Sequence, residues 1–353
     1  MAFKSFLGSA LLLSLSAPIF GTPVRPHNQW QNLSDVAVFP RQEHTGLFLE
    51  PDTIAIFGGI IPNSSATPIP FTTVDIVQFY SVKSDTWRTV APLPRAMNHV
   101  NVATVNGKIY VFGGLDDGGA DQMVLRAVPD AWVYDVGTDL WATLPPVPDE
   151  PRGMAAVGVY DDKIFLAGGF TALGMRGQGP HASVANVSIF DTKTSTWLPA
   201  PDQAKLLPAP RDHAGYAVFN SKMYVVGGFD HGAPNPRSTV FVLDLDNMEN
   251  GWTTSKALMP RARGGFAFAV AGGKLYTLGG EGNPDVPSGV YNETEAYDFE
   301  SDSWERLCPM AVPRHSAPGI AVDGKIYIPG GGLTAGGAPT SHFDVFAPQV
   351  DVN

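Results

Sequence analysis

The chain has 353 residues, a formal net charge of −11 and a single Cys. The acidic balance disfavours nucleic acid and anionic membrane surfaces as partners, because affinity for phosphate comes from clustered Lys and Arg. One Cys excludes an intramolecular disulfide. The 38 Gly and 31 Pro exceed the roughly 25 and 18 of an average protein of this length, which predicts many short strands joined by turns.

The first 21 residues are typical of a secretory signal peptide. Lys4 supplies the positive charge, residues 6–19 are apolar, and small residues follow for cleavage. The alternative is an N-terminal core helix. Four Asn-x-Ser/Thr triplets fit a glycosylating secretory route, at Asn32, Asn63, Asn186 and Asn292. We therefore predict a secreted, glycosylated protein and expect it to be a monomer.

A pattern of about 51 to 59 residues repeats six times. Each repeat has an apolar run that ends in a Gly pair, and the second glycines are Gly59, Gly114, Gly169, Gly228, Gly280 and Gly331. A Trp follows each of the first five pairs, and the corresponding Trp of the sixth repeat is Trp30, at the other end of the chain. Pro-Arg pairs precede the repeats at Arg41, Arg95, Arg152, Arg211, Arg261 and Arg314.

The position of Trp30 predicts that the repeats close into a ring. A linear stack would leave the last repeat incomplete. In a closed ring, the segment around Trp30 becomes the outer strand of the sixth unit, so that no long edge strand is left bare.

These motifs resemble the kelch repeat over residues 27–350. The matching elements are the Gly pair, the later Trp, and aromatic-Asp turns such as Tyr134-Asp135 and Tyr297-Asp298. The resemblance implies an all-β, six-bladed β-propeller in a single domain. Each blade would have four strands, and the N-terminal strand would close the ring.

Long, variable segments follow the Gly pairs, at about residues 60–73, 115–130, 170–184, 229–237, 281–291 and 332–341. They exceed the usual hairpin loop of 2–5 residues, so we expect a binding site on the face that they share. The predicted catalytic hydrogen-bond donors are Arg263, which stands two residues past a Pro-Arg pair, and His231. The predicted substrate-binding residues are Trp132, Arg126, Met175, Arg176, His181, Phe229, Asp230, Glu281 and His342.

Histidines also follow the Pro-Arg pairs at His44, His99, His213 and His315. The kelch resemblance implies internal hydrogen bonding for these four. We predict neither a metal nor a cofactor, because the histidines come from different repeats. An iron-binding Glu-x-x-x-Asp-x-x-x-His pattern known from some kelch proteins matches at Glu281 and Asp285 but has Gly289 in place of the His.

Two classes of function remain. The size, signal peptide and repeat number resemble a group of fungal hetero-Diels–Alderases, which implies an enzyme that joins a tropolone quinone methide to a humulene-type terpene alcohol. Its partners would be small apolar organic substrates. The alternative is a non-catalytic propeller that binds carbohydrate or a secreted protein.

Overall fold

The computed structural model describes residues 29–66, 70–117, 124–174 and 179–348. The predicted signal peptide, Met175 and Arg176 lie outside these ranges. Within them, no helix is both long and apolar enough to cross a membrane.

Six sheets, here called blades 1 to 6, each contain four antiparallel strands of the repeat. From the first strand to the outermost, blade 1 contains Thr45–Leu49, Thr53–Phe57, Val77–Ser81 and Thr86–Val90; blade 2 Val102–Val105, Lys108–Asp116, Val124–Asp135 and Leu140–Thr143; blade 3 Ala156–Tyr160, Lys163–Ala167, Val187–Asp191 and Thr196–Leu198. Blade 4 contains Gly215–Phe219, Lys222–Val226, Val240–Asp244 and Thr253–Thr254; blade 5 Ala267–Ala271, Lys274–Leu278, Thr294–Asp298 and Ser303–Arg306; blade 6 Ile320–Val322, Lys325–Pro329, Phe343–Phe346 and Trp30–Asn32.

The segments that follow the Gly pairs contain further strands, where the sequence predicts only loops. Three short hairpins are formed by Ile60–Pro62 with Phe71–Thr73, Phe170–Gly174 with His181–Ser183, and Gly332–Thr334 with Gly337–Pro339. Phe170–Gly174 also pairs with the start of the third strand of blade 2. A 3-10 turn, Met248–Asn250, precedes the outer strand of blade 4. Hairpins leave fewer unpaired backbone groups than loops of this length, so they give the site rigid walls.

The first strands of the six blades contact one another in a closed cycle, each with the first strand of the next blade and the sixth with the first. The all-β kelch fold is thus as predicted. Trp30–Asn32 pairs antiparallel with Phe346–Asp344, which is the arrangement that the position of Trp30 predicts.

The repeat Trp residues join neighbouring blades. The indole nitrogen of Trp87 donates a hydrogen bond to the backbone oxygen of Ser34 at 3.1 Å, and that of Trp252 donates to Ala204 at 3.0 Å. Trp30 makes the same bond to Pro309, in the segment between blades 5 and 6, at 3.0 Å. At the junction of the two chain ends, its ring contacts Phe346 at a centroid distance of 5.0 Å.

Replacing Trp30 by Ala is therefore expected to destabilise the junction. We expect the free energy of unfolding to fall by about 2–3 kcal/mol, below the 3–5 kcal/mol of a fully buried Trp, because Trp30 is partly exposed. Trp30→Phe keeps most of the apolar contact and loses one hydrogen bond, so about 1 kcal/mol is expected. Urea denaturation measures both, with Gln31→Ala, at an exposed neighbour, as the control. Equal stability of all three variants would mean that the strand does not hold the ring closed.

Candidate functional site

Six equivalent residues, one ahead of each blade, form a constriction in the central channel that we call the neck: Glu43, His99, Met154, His213, Gly265 and Ser316. All six have left-handed backbone conformations, with φ between 50° and 65°. Five backbone hydrogen bonds of 2.6–3.0 Å join them in the order Met154, His99, Glu43, Ser316, Gly265 and His213. A non-glycine residue in this conformation is strained and persists only where its surroundings hold it. The fold therefore fixes the backbone of the neck tightly.

The neck separates two cavities. The inner one, of about 290 Å³, is lined by first strands of the blades and includes Tyr216, Phe268 and Pro318. The outer one, which we call the mouth cavity, has a volume of about 720 Å³ and opens on the side of the long segments. This volume lies within the range of sites for small organic ligands.

The mouth cavity has apolar walls and a polar floor. The walls include Ile60, Phe71, Leu125, Leu173 and Phe229. The floor is formed by the neck residues Glu43, His99 and His213. An apolar chamber with polar groups at one end favours an apolar molecule that carries an oxygen function at one end.

Glu43 and His99 are paired at the floor. Glu43 Oε2 lies 2.9 Å from His99 Nε2, and the two side chains are only 8% and 1% exposed. Burial disfavours the charged carboxylate, but the positive charge of His99 outweighs this and lowers the pKa of Glu43 below its usual range. Glu43 is therefore a carboxylate despite its burial.

His213 is held by a second buried carboxylate. Its Nδ1 lies 2.6 Å from Oδ1 of Asp212, which is completely buried. Burial lowers the pKa of His213, but the hydrogen bond and charge of Asp212 outweigh it and raise this pKa to about 9. Asp212 also accepts hydrogen bonds from His181 Nε2, at 3.1 Å, and from Ser183 Oγ. Its acceptor sites are thus well used, which fixes the orientation of the His213 ring.

A third carboxylate, Glu281, lines the mouth cavity and lies beside the neck residue Gly265. Glu281 Oε2 lies 3.5 Å from His315 Nδ1 and accepts a hydrogen bond from the Gly336 backbone nitrogen at 2.8 Å. Gly265 has no side chain, and a Cβ there would lie 3.5 Å from Glu281 Cγ. That distance is an ordinary contact, so Glu281 does not require a glycine at this position; the left-handed φ of 65° is what favours one.

Four of the predicted site residues line the mouth cavity: His181, Phe229, His231 and Glu281. His231 lies at the rim, with its Nδ1 2.7 Å from Asp230 Oδ1 and its side chain 55% exposed. Asp230 also pairs with Arg237 at 2.7 Å. Of the other predicted site residues that the structure describes, none lines the cavity: Arg126, Trp132, Asp230, Arg263 and His342.

His342 and Arg126 lie away from the floor. His342 Nε2 is 3.1 Å from Asp344 Oδ2, within blade 6. Arg126 is exposed on the third strand of blade 2, next to the cavity residue Leu125. Neither position supports a direct role in binding at the cavity floor.

Arg263 is a structural residue of blade 5. Its side chain is completely buried, its Nη1 lies 2.7 Å from Glu295 Oε2, and its Nε donates to the oxygen of Gly279 at 2.7 Å. Arg314 makes the equivalent bonds in blade 6, to Gly330 and to Asp344. Arg263 is therefore the repeated Arg of its blade, and the expectation that it donates to a substrate has no geometric support. The Arg of the Pro-Arg pair in this blade, Arg261, is therefore the one that departs from the repeat, and it pairs with Asp285 at the surface.

Blade 2 has an apolar version of the same pair. The backbone nitrogen of Gly59 donates a hydrogen bond to the backbone oxygen of Met97 at 2.9 Å, and the nitrogen of Gly228 donates the equivalent bond to the backbone oxygen of Arg263. Met97 therefore occupies, in blade 2, the position of the buried Arg. Trp132 likewise occupies the position of Glu295. Trp132 pairs with Val111 and Glu295 pairs with Thr277, and each partner is the fourth residue of the second strand of its blade. Met97 and Trp132 belong to the hydrophobic core between blades 1 and 2. The unique Trp is thus explained by packing and not by a ligand.

The predicted glycosylation sites differ in accessibility. Asn32 and Asn292 are exposed, whereas Asn63 and Asn186 are partly buried. Asn63 Nδ2 donates a hydrogen bond to Thr72 Oγ1 at 2.8 Å. We expect Asn32 and Asn292 to be the more accessible sites.

Sequence reasoning missed Glu43 as a site residue and assigned His99 and His213 to internal hydrogen bonding. The signal that could have identified them is their shared offset, since each stands two residues after the position of the buried Arg or Met97. The argument that histidines of different repeats cannot meet fails here. The neck brings one residue of every blade to the channel axis.

The fold and the cavity define a kelch-type propeller with a ligand-sized chamber on one face. The chain matches the KLHDC2/KLHL20/DRC7 Kelch-repeats domain over residues 26–197 and 174–331, and it belongs to the kelch-repeat family. It is 37% identical to the Kelch-like protein terF of Aspergillus terreus over 341 residues, which cover 94% of this chain and 72% of that protein. Alpha-scruin of Limulus polyphemus is 26% identical over 300 residues, and the match covers 84% of this chain and 31% of the scruin. The solved structure of YjhT superposes with a TM-score of 0.71 at 17% identity, covering 90% of this chain and 98% of that one, which shows the fold alone.

Proposed function

We propose that this kelch protein is a secreted enzyme of secondary metabolism that binds small, largely apolar organic molecules in the mouth cavity. The observation that carries the proposal is the chamber of about 720 Å³, with apolar walls and a buried, charged floor. Because a fold alone does not define a function, the proposal depends on this site. The similarity to a fungal kelch-like protein over nearly the whole chain supports it.

We propose, as the reaction, a hetero-Diels–Alder addition of a tropolone quinone methide to a humulene-type terpene alcohol, which the apolar walls and polar floor of the cavity would accommodate. Two bonds form and no atom leaves, so no covalent nucleophile is required. The main catalytic gain comes from holding both partners in a reactive pose, for which effective concentrations reach about 10⁵–10⁸ M. Phe71, Leu125 and Phe229 would hold the terpene, and the oxygen end of the quinone methide would face the floor at Glu43 and His99.

Carbohydrate binding is less well supported. Sugars are usually bound against exposed Trp or Tyr rings, whereas the lining found for the mouth cavity among the described residues contains neither. The repeat Trp residues are used between blades, as the bonds of Trp30, Trp87 and Trp252 show.

The direct test is to incubate the purified protein with a quinone methide precursor and humulenol and to follow adducts by chiral chromatography. We expect adduct formation above the spontaneous rate and a single predominant stereoisomer. In parallel, thermal shifts are measured with both reactants and with an oligosaccharide panel, since a ligand at 100 times its Kd stabilises by about 2.7 kcal/mol. The spontaneous rate and stereoisomer mixture, together with a shift only from oligosaccharides, would overturn the proposal in favour of a sugar-binding propeller.

A further inference from the structure

The side chains of Glu43 and His99 face each other at the neck at hydrogen-bond distance. His99 Nδ1 lies 2.5 Å from Asn98 Oδ1, and Asn98 Nδ2 donates to Thr73 Oγ1 at 2.6 Å. Because the amide oxygen can only accept, Nδ1 of His99 carries a proton. Nε2 then either carries a second proton, which makes the ring a positively charged imidazolium, or offers its lone pair to a metal ion. That nitrogen points at Glu43 Oε2, 2.9 Å away.

Among the residues that the structure describes, neither atom has another hydrogen-bond partner. Glu43 Oε2 and His99 Nε2 are buried and make no hydrogen bond of good geometry. A carboxylate oxygen and an imidazole lone pair at this distance repel each other unless a positive charge lies between or beside them. The occupant is either a proton or a metal ion.

His213 brings a third ligand atom to the same place. Glu43, His99 and His213 each offer one ligand atom, and these atoms lie within 4.8 Å of one another. The Nδ1 of His213 is held by Asp212, so Nε2 is the nitrogen available to a metal. A histidine held by a carboxylate in this way is the usual arrangement behind a metal ligand.

We propose that Glu43, His99 and His213 bind one divalent transition-metal ion, with Zn²⁺ as the representative ion. Two imidazoles and one carboxylate are a ligand set of catalytic zinc and non-haem iron sites, which keep one or more positions open. Zinc–ligand distances of about 2.0–2.1 Å place neighbouring ligand atoms roughly 3.3 Å apart, so the 2.9 Å between Glu43 and His99 is close to the required spacing. All three residues line the mouth cavity, so a ligand in that cavity could reach an open position of the ion.

The neck is suited to such an ion for two further reasons. Its backbone is fixed by hydrogen bonds between the ligand residues themselves, such as His99 N to Glu43 O at 2.9 Å. The charge of the ion would be balanced by Glu43 in contact with it and by Asp212 behind His213. An ion there would act as a Lewis acid on a ligand oxygen in the cavity.

The test measures metal binding and needs no assumption about the reaction. Tag-free, purified protein is treated with a chelator and titrated with Zn²⁺ by calorimetry, and metal content after purification is measured by elemental analysis. We expect one Zn²⁺ per chain. Co²⁺ titration should give visible absorption bands typical of a four- or five-coordinate site.

The variants are chosen to keep the left-handed backbone of the neck. Asn tolerates this conformation better than most residues, so His99→Asn and His213→Asn are used with Glu43→Gln. Each is expected to weaken Zn²⁺ binding at least 100-fold, and Asp212→Asn roughly 10- to 100-fold. His342→Gln is the control, because it removes a histidine that does not line the cavity, and it should bind Zn²⁺ as the natural protein does.

Absence of stoichiometric Zn²⁺ and Co²⁺ binding by the natural protein would overturn the proposal. It would mean that a proton, and not a metal ion, lies between Glu43 and His99. Natural affinity in a folded His99→Asn variant would also overturn it. A thermal melt of each variant identifies any that does not fold, and the titration of the natural protein decides the question in that case. Metal binding without cycloaddition would leave the metal site standing and reject the proposed reaction, so the two can be told apart.

Discussion

Replacing Arg263 by Met is expected to lower the free energy of unfolding by about 3–5 kcal/mol, because the buried Glu295 loses its close partner and retains the longer contact of 3.7 Å with the largely exposed Arg306. Both side chains are completely buried and their charged atoms are 2.7 Å apart. Arg263 also donates to the oxygen of Gly279, so the variant loses a bond to the Gly pair as well. Urea denaturation measures the change.

The same position allows a sharper comparison. The double variant Arg263→Met with Glu295→Leu removes both charges, and replacing a buried ion pair by apolar residues is often neutral or stabilising. Blade 2 already has Met97 and Trp132 in these positions. We therefore expect the double variant to regain most of the lost stability. A double variant as unstable as the single one would mean that Arg263 acts mainly through its bonds to the backbone.

Activity separates this role from a catalytic one. If Arg263 only supports blade 5, the folded double variant should turn over substrate as the natural protein does. A large loss of turnover in a stable double variant would mean that Arg263 or Glu295 does contribute to the proposed reaction. The readout is turnover per folded molecule, measured below the melting transition of each variant.

The architecture could be predicted from the sequence because it is repetitive. Gly pairs and Trp residues recur at nearly constant spacing, and each repeat reports the same packing constraint. The position of Trp30 even indicated how the chain ends meet, since Trp30–Asn32 lies beside Phe343–Phe346. Repetition also misled in one place. The Pro-Arg pairs suggest one constant register, but the buried side chain stands two residues later in two blades, as Arg263 in blade 5 and Met97 in blade 2.

The site was harder to predict because its residues are part of the repeat. Long segments do surround the cavity, and they supplied His181, Phe229, His231 and Glu281. The floor comes instead from the neck, where each position also has an architectural task. Only the structure shows that the polar side chains of Glu43, His99 and His213 meet at one point of the cavity floor. In the sequence, these three positions look like the other three members of the neck.

Blocking the mouth cavity is expected to abolish the proposed function while leaving the fold intact. Ala233 is partly exposed in the segment after the Gly pair of blade 4 and lines the cavity. An indole ring at this position would occupy space that the reactants need. Misplacement of about 1 Å can cost roughly 100-fold in rate, so Ala233→Trp should reduce turnover by at least that factor.

The matched control for this variant is Ala142→Trp, on the exposed outer strand of blade 2. It makes the same change of side chain away from the cavity and should leave both turnover and melting temperature close to natural values. Zn²⁺ titration of Ala233→Trp adds a second readout. The neck lies below the blocked chamber, so the ion should still bind if the ligands are Glu43, His99 and His213. Natural turnover in Ala233→Trp would place the reaction outside the mouth cavity, whereas loss of turnover with intact Zn²⁺ binding would locate the organic ligand above the neck.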